Sequence, residues 1–267
     1  MTRNRLGSKI YLGAVFAFLY IPIAVLIFFS FNKSKSRNLF TGFTLDWYKQ
    51  LFQNEMILRS LGVTLLVAAI ASVCATVLGT AAAIGIQSMK RWPRFAVMNV
   101  TYVPVINPEI VTGVSMLLLF TSIRYFLNFD MGFGTLLIAH ITFNVPYVIL
   151  SVNPKLRQLD RSQYEAAMDL GCTPVRAFFK VVIPQIMPGI TTGFLMALTY
   201  SIDDFVISYF TSGTSQTLSI AIYSMTRRKV SPEINALSTI IFMAVLLILL
   251  VMNFKDVKLS NRKESSK

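Results

Sequence analysis

The stretch that decides the fold is YEAAMDLGCTPVRAFFKVVIPQ, residues 164–185, in which charged residues interrupt a chain that is otherwise largely apolar. Gly171 is a natural helix stop, because glycine readily adopts the left-handed backbone conformation that ends many helices. We therefore expect one helix to end near Leu170. Thr173 followed by Pro174 is a typical helix start, with the threonine hydroxyl capping free amides and proline in the first helical position. The stretch predicts a helix, a tight turn and a second helix.

The second of these helices is predicted to be amphipathic. Helical spacing separates four apolar residues on one face from two basic residues on another. These are Val175, Phe178, Phe179 and Val182, and Arg176 and Lys180. Two interpretations of the apolar face are open at this point. The hairpin either lies on a membrane with its aromatic side chains toward the headgroups, or docks on a partner.

The rest of the sequence has the composition of a polytopic membrane protein. Of its 267 residues, 54% are hydrophobic and 14% are charged. A helix needs about 20 apolar residues to cross a hydrocarbon core about 30 Å thick. We therefore predict an all-α fold, a polytopic transmembrane bundle of six helices in one domain over residues 1–267. The predicted spans are 10–31, 60–87, 95–121, 131–152, 186–210 and 234–254.

The basic residues orient the predicted bundle. Most of the 25 Lys and Arg residues lie in the amino terminus, the second loop, the middle loop and the tail. The positive-inside rule makes these segments cytoplasmic, so both termini and the middle loop, residues 153–185, face the cytoplasm. The short charged tail, residues 255–267, is expected to be disordered. The net charge of +13 then reflects membrane orientation, and we expect contact with lipid and none with nucleic acid.

Three acidic residues within the predicted spans indicate a path for a cation, because an ionisable residue in a span usually faces a cavity or a partner. Glu109 follows Pro104, Asn107 and Pro108, and the prolines predict a broken helix whose free carbonyl groups line a cavity. Asp203 and Asp204 lie toward the outer end of the fifth span. Since successive helical residues point about 100° apart, we expect one of the two to be a helix cap. The alternative is that Glu109 pairs with a polar neighbour or is protonated, and that the two aspartates cap a helix end.

Two other residues have a functional and a structural interpretation. Trp47, in the first external loop, is either an anchor at the membrane interface or a ring that holds an ammonium group. His140 is the single histidine and lies in the fourth span, where we favour a packed, hydrogen-bonded residue over a proton relay. No clustered His, Cys and Ser residues indicate a catalytic site, so we do not expect an enzyme.

The order of residues in 164–185 resembles the signature of ABC importer permeases, EAA-x3-G-x9-I-x-L-P. The matching positions are Glu165, Ala166, Ala167, Gly171 and Pro184. Val181 and Ile183 stand where the family has Ile and Leu. The resemblance implies a type I importer fold whose cytoplasmic EAA loop, a helix-turn-helix, docks in a groove of an ATP-hydrolysing subunit. Phe178 and Phe179 are then expected to enter an apolar cleft of that subunit.

Three other stretches extend the resemblance to the spermidine and putrescine permeases of this family. They are SFNKSKSRNLFTGFTLDWYKQLF at 30–52, SIDDFVISYFTSG at 201–213 and YSMTRRKVSPEINALSTI at 223–240. The resemblance implies a location in the bacterial inner membrane. It implies as partners a second homologous permease, two ATP-binding subunits and an extracytoplasmic polyamine-binding protein. It also implies that the substrate path includes Trp47, Glu109, Ser201, Asp203 and Asp204.

The sequence contains no Gly-Lys dipeptide, and therefore no phosphate-binding loop of the G-x4-G-K-[ST] kind. We expect no cofactor or metal in this chain, with ATP and Mg²⁺ bound by the partner ATPase. Two alternatives to polyamine import are open. One is an ABC permease for another small cation such as ferric iron. The other is a proton-coupled secondary carrier with Glu109 and the two aspartates as a relay, which should show repeated halves, and no internal repeat is visible.

Overall fold

The computed structural model describes residues 5–34, 39–228, 232–243 and 246–247, and the predicted all-α class is confirmed. In these residues the only pairing of extended backbone is an isolated bridge between Asn32 and Phe43. The helices are α1 (Arg5–Ser30), α2 (Asp46–Gln53), α3 (Glu55–Ser88), α4 (Arg91–Ile106), α5 (Glu109–Leu127), α6 (Phe133–Arg157), α7 (Arg161–Asp169), α8 (Pro174–Ala177), α9 (Ile183–Asp203), α10 (Val206–Thr211) and α11 (Leu218–Arg228). A π-helical turn, Phe178–Val182, joins α8 to α9, and residues 232–243 are also helical.

Five helical segments in the described part of the chain are long and apolar enough to cross a membrane. They are Gly7–Ser30, Glu55–Ser88, Glu109–Phe126, Phe133–Arg157 and Pro174–Asp203. They overlap the first five predicted spans. The predicted sixth span, 234–254, lies partly outside the described residues, which include 234–243 and 246–247 of it, and the predicted disordered tail, 255–267, lies wholly outside them. The count of six spans therefore stays a prediction.

The predicted third span, 95–121, consists of two helices. α4 ends at Ile106 and α5 begins at Glu109, while Asn107 and Pro108 have extended backbone with ψ of 141° and 133°. Proline disfavours the helical conformation in the residue before it, and it has no amide hydrogen to continue the helix. The helix break expected from the proline is therefore present immediately before Glu109.

The predicted fifth span, 186–210, begins within a longer helix. The chain is helical without interruption from Pro174 through the π turn to Asp203, so the second helix of the EAA loop continues directly into the span. A proline ring in a regular helix meets the carbonyl group four residues earlier, which for Pro184 is that of Lys180. Lys180 lies in the wider π turn, which accommodates the proline without ending the helix.

The helix that contains the predicted fifth span is interrupted before residue 210. α9 ends at Asp203, and Asp204 has extended backbone with φ −61° and ψ 124°. The Asp204 carboxylate then accepts hydrogen bonds from the amides of Ile207, at 3.2 Å, and Ser208, at 2.6 Å. These amides lie in the first turn of α10 and have no partner within the helix. The aspartate therefore ends one helix and caps the next.

The turn of the EAA loop has the geometry that the sequence predicts at Gly171 but differs at Thr173. Gly171 has a φ of +84°. Its amide donates to the Met168 carbonyl, and the Cys172 amide donates to the Ala167 carbonyl, which is the Schellman arrangement at a helix end. Thr173 precedes α8 with extended backbone, but its hydroxyl makes no capping hydrogen bond. The expected side-chain cap is therefore not formed.

The chain divides into two compact units, residues 1–58 with 222–267, and residues 59–221. In the second unit, α6 packs closely against α3 and α9 through glycines. A Cβ atom on Gly79 would lie 2.6 Å from Cβ of Val148, and one on Gly193 would lie 3.2 Å from Cα of the same valine. Small residues allow helices in a membrane to approach this closely. The three acidic residues of the predicted path, Glu109, Asp203 and Asp204, and the EAA loop all belong to this unit.

Candidate functional site

Two acidic residues and two tyrosines of the second unit form a connected surface, which we call the acid–aromatic surface: Glu109, Tyr147, Tyr200 and Asp203. Glu109 is the exposed first residue of α5, and it lies close enough to Tyr147 on α6 for an electrostatic interaction. The ring centroid of Tyr147 is 4.5 Å from that of Tyr200 on α9. Asp203 follows Tyr200 by three residues, so the two lie on one side of α9. The helix break at Glu109 and the end of α9 therefore lie near the same pair of aromatic rings.

This arrangement suits an elongated organic cation. A carboxylate attracts an ammonium group directly, and the face of a tyrosine ring attracts it by about 0.5–2 kcal/mol, depending on how far the cation is desolvated. α9 contains no Lys or Arg that would compete for the carboxylates. The surface therefore offers a carboxylate at each end and two rings between them to a molecule with more than one positive charge.

The two tyrosines were missed in the sequence. The position of Tyr200, three residues before Asp203 on one helix, was a sequence signal for Tyr200. Tyr147 had no such signal, because its contact with Tyr200 depends on how α6 packs against α9. The prolines and acids of the sequence therefore indicated Glu109 and Asp203, at the ends of the acid–aromatic surface. Tyr147 and Tyr200 between them meet only through tertiary packing.

Ser201 and Asp204 lie beneath this surface in a buried polar network with His140. His140 Nδ1 is 3.1 Å from Ser201 Oγ, and its Nε2 is 3.0 Å from Ser208 Oγ and 3.5 Å from an Asp204 carboxylate oxygen. Asn144 donates a hydrogen bond of 2.8 Å to Ser201 Oγ. His140 is therefore a packed and hydrogen-bonded residue, as we favoured from the sequence.

The buried polar network joins three helices at the point where the chain bends. His140 and Asn144 belong to α6, Ser201 to α9 and Ser208 to α10. A buried polar group without a partner is costly, so each hydrogen bond in the network favours this one arrangement of the helices. The network thereby fixes the end of α9, and with it the position of Asp203. Of the two aspartates, Asp204 is the helix cap and Asp203 is exposed.

Trp47 lies in the first unit, away from bulk solvent. Its side chain is 6% exposed, and its indole Nε1 donates a hydrogen bond of 2.7 Å to the backbone carbonyl of Asn32. The neighbouring Tyr48 hydroxyl is 2.7 Å from Ser30 Oγ. Helix α2 is thus tied to the end of α1. These contacts are those of a structural anchor, and a role of Trp47 in the substrate path stays a prediction.

The EAA loop combines a pocket with an exposed apolar surface. The pocket has a volume of about 400 Å³, and its lining includes Glu165, Tyr164, Phe178, Val182 and Gln87. Beside it, three apolar side chains of the loop are exposed by more than half: Leu170 by 87%, Val175 by 66% and Phe179 by 62%. The four apolar residues expected on one face therefore separate, because the π turn rotates Phe178 and Val182 inward. Ala166, Gly171 and Pro184 are exposed, and Ala167 is half-buried.

Comparison with known proteins identifies the class of protein to which this fold and loop belong. The family model described as "Binding-protein-dependent transport system inner membrane component" matches residues 75–263. The chain belongs to this family, and it is a transport permease subunit of the inner membrane rather than an enzyme. The family description makes a binding protein a partner of its members.

Two relatives and one solved structure show how far the similarity extends. The chain is 41% identical over 237 residues to the putrescine transport system permease protein PotI of Escherichia coli K12, covering 86% of this chain and 83% of the relative. It is 36% identical over 231 residues to the spermidine/putrescine transport system permease protein PotC of Haemophilus influenzae, covering 86% and 88%. A crystal structure of a bacterial ABC transporter for alginate import has a chain with a TM-score of 0.68 at 16% identity, covering 94% of both chains. The last match shows a common fold.

Proposed function

We propose that this chain is the permease subunit of an ATP-driven ABC importer for polyamines, and that the acid–aromatic surface is part of the translocation path. The observation that carries the proposal is the connection of Glu109 to Asp203 through Tyr147 and Tyr200. Spermidine and putrescine are flexible chains with several ammonium groups. Such a molecule can pass from carboxylate to ring to carboxylate without losing all of its favourable contacts at once. The similarity to PotI and PotC supports the same cargo.

The five residues of the proposed path have two kinds of role. Glu109 and Asp203 contact the cargo, because both side chains are exposed. Ser201 and Asp204 are buried, so in this conformation they act as positioning residues that hold the end of α9. Trp47 is buried, so it would join the path only in a conformation in which the face of its ring is exposed.

The proposed partners are a second homologous permease, two ATP-binding subunits and an extracytoplasmic polyamine-binding protein. The EAA loop would transmit the motion of the ATPases, which bind ATP and Mg²⁺. Its exposed Leu170, Val175 and Phe179 provide an apolar contact surface. Since α8, the π turn and α9 form one continuous helix, a displacement of the loop would move Asp203 at the far end of the same helix. We place this loop and both termini in the cytoplasm.

The partner ATPases can drive import only if the conformations of the permease have different affinities for the cargo. A ligand with equal affinity for two states does not shift the equilibrium between them. In the proposed cycle the loaded binding protein docks outside and ATP binding closes the ATPases. α9 moves together with α6, because the buried polar network bonds the two helices. This movement separates Tyr147, Tyr200 and Asp203 from Glu109 of α5. When the acid–aromatic surface is divided in this way, its affinity for the cargo falls, and the cargo is released inward.

ATP-dependent uptake in proteoliposomes tests the proposal. The complex of this chain with its permease, ATPase and binding-protein partners is compared with its Asp203→Asn and Glu109→Gln variants, using labelled spermidine and labelled putrescine. We expect each variant to lower uptake at limiting cargo about tenfold or more, since loss of one ion pair of about 1.4 kcal/mol already has this effect. An intact complex that hydrolyses ATP and moves neither polyamine would contradict the cargo assignment and leave the permease class unaffected.

The same preparation separates the alternatives. Ferric iron uptake that labelled polyamine does not inhibit would favour the small-cation permease. A proton-coupled carrier would transport without ATP and would respond to a pH gradient. Co-purification of an ATPase that is lost in the Glu165→Ala variant would reject the carrier.

A further inference from the structure

A second pocket of the permease lies beside the EAA loop and is lined by three arginines. Its volume is about 570 Å³. Arg91 and Arg94 come from the first turn of α4, and Arg157 is the last residue of α6. Phe95 and Met98 of α4 form part of the apolar wall, and Gln87 of α3 lines both this pocket and that of the EAA loop. We call it the arginine pocket.

The charges of the arginine pocket are unbalanced. No acidic residue lines it. In the part of the chain that the structure describes, none of the three arginines forms an ion pair or a side-chain hydrogen bond. Three like charges close together repel one another, and an anion that binds among them removes this repulsion. The guanidinium group also matches the geometry of phosphate, to which it donates two parallel hydrogen bonds.

The surroundings of the pocket fit an anion that carries apolar chains. Trp92 and Phe95, in the same turn of α4 as the arginines, are 82% and 69% exposed, and Val103 and Ile106 further along the helix are 56% and 79% exposed. From Arg91 to Ile106 the helix rises about 24 Å, which exceeds one leaflet of hydrocarbon, about 15 Å. Tryptophan is enriched where lipid headgroups meet hydrocarbon, and arginines beside it would lie at headgroup depth.

We propose that the arginine pocket binds the headgroup of an anionic phospholipid, whose acyl chains lie along the exposed apolar side of α4. The phosphodiester accepts hydrogen bonds from Arg91, Arg94 and Arg157. The buried amide oxygen of Gln87 has no hydrogen-bond partner in the described residues, and a headgroup hydroxyl would supply a donor. Basic pockets between helices at the cytoplasmic surface are suited to such headgroups. The proposal rests on the membrane class of the chain and is independent of the polyamine cargo.

A bound lipid would also affect the coupling between ATPase and path. The pocket joins the ends of α3, α4 and α6, and α7 of the EAA loop follows α6 after three residues. Bridging these ends by one phosphate would hold the base of the loop in a fixed position. We therefore expect anionic lipid to raise the fraction of ATP hydrolysis that results in transport.

Native mass spectrometry of the whole complex tests the site. The complex is extracted from nanodiscs of phosphatidylcholine with about a third phosphatidylglycerol, as wild type and as a variant with Arg91→Gln, Arg94→Gln and Arg157→Gln. A control variant with Lys255→Gln, Lys258→Gln and Arg262→Gln removes the same number of charges from the tail. We expect the pocket variant to retain phosphatidylglycerol about fivefold less than the wild type, and the tail variant to retain it as the wild type does.

Each other result overturns the proposal. Equal loss of lipid in both variants would mean diffuse attraction of anionic lipid to positive charge. Unchanged lipid with loss of the ATPase from the pocket variant would mean that the pocket docks a protein. Release of bound lipid by inorganic phosphate alone would mean a site for free phosphate. The single variants Arg91→Gln and Arg157→Gln, both at exposed positions, keep the test valid if the triple variant does not assemble.

Discussion

At the scale of single residues, the neighbours Asp203 and Asp204 have opposite environments. Asp203 is exposed at the end of α9, whereas the side chain of Asp204 is buried and accepts hydrogen bonds from two backbone amides. Adjacent helical positions face in different directions, so one residue can belong to a surface and the next to a core. The same alternation separates Tyr200, on the acid–aromatic surface, from Ser201, in the buried polar network.

The two aspartates should differ in their effect on stability. We expect Asp204→Ala to lower the free energy of unfolding by about 1–3 kcal/mol, because two buried amides and His140 lose their partner. Asp203→Ala is the matched control and should leave the melting temperature unchanged. Thermal unfolding of the purified complex in detergent measures both. Equal melting temperatures for the two variants would show that the buried carboxylate does not stabilise the end of α9.

The aromatic ring of Tyr200 should matter more than its hydroxyl. We expect Tyr200→Ala to raise the KM for polyamine uptake about two- to thirtyfold, which is the range of a lost cation–π contact, while Tyr200→Phe keeps the KM close to the wild-type value. Tyr125→Ala is a control, because Tyr125 is 87% exposed and belongs to the end of α5. A Phe variant as impaired as the Ala variant would assign the role to the hydroxyl group.

At the scale of elements, the helix from Pro174 to Asp203 connects the two regions that matter for transport. Its first turns belong to the EAA loop, and its last turn carries Tyr200 and Asp203. The bond between Gln185 Nε2 and Gln163 Oε1, at 2.8 Å, ties this helix to α7. A continuous helix can carry a displacement from one end to the other. The turn at Gly171 then determines the angle at which α7 meets it.

Substitution of Gly171 should therefore weaken coupling. Gly171→Ala places a side chain at a φ of +84°, which costs about 1–2 kcal/mol in the left-handed region. We expect less stimulation of ATP hydrolysis by the loaded binding protein. Gly85→Ala is the control, since a Cβ atom at either position meets nothing within 4 Å and Gly85 lacks a positive φ. Unchanged stimulation in Gly171→Ala would mean that the turn geometry is not needed for coupling.

At the scale of the whole molecule, the orientation in the membrane follows from the distribution of basic residues. The turn at Cys172 is predicted to be cytoplasmic, and the segment between α10 and α11, which includes Thr214, is predicted to be external. Both sites are at least partly accessible, since Thr214 is exposed and Cys172 is half-buried.

Cysteine labelling in sealed right-side-out vesicles checks this orientation. In a Cys74→Ser background, a membrane-impermeant maleimide should label Thr214→Cys and leave Cys172 unlabelled. Permeabilised vesicles provide the control, in which both thiols should react. Labelling of Cys172 in sealed vesicles would reverse the predicted topology and place the EAA loop on the wrong side for an ATPase.

The sequence by itself determined the features that depend on local backbone and on length. Long apolar runs predicted the helical class, Pro108 predicted the break before Glu109, and Gly171 predicted the turn of the EAA loop. The helix interruption at Asp204 within the predicted span 186–210 was not located from the sequence, because it depends on hydrogen bonds to the next helix. Only the tertiary structure decided which polar residues meet. His140 and Ser201 are 61 residues apart in the chain, and the packing of α6 on α9 joins them. The same packing brings Tyr147 next to Tyr200. The ends of α3, α4 and α6 meet, and this places Arg91 and Arg157 at the same pocket. Contacts of this kind depend on side chains from separate helices, and the spacing of residues along one helix does not specify them.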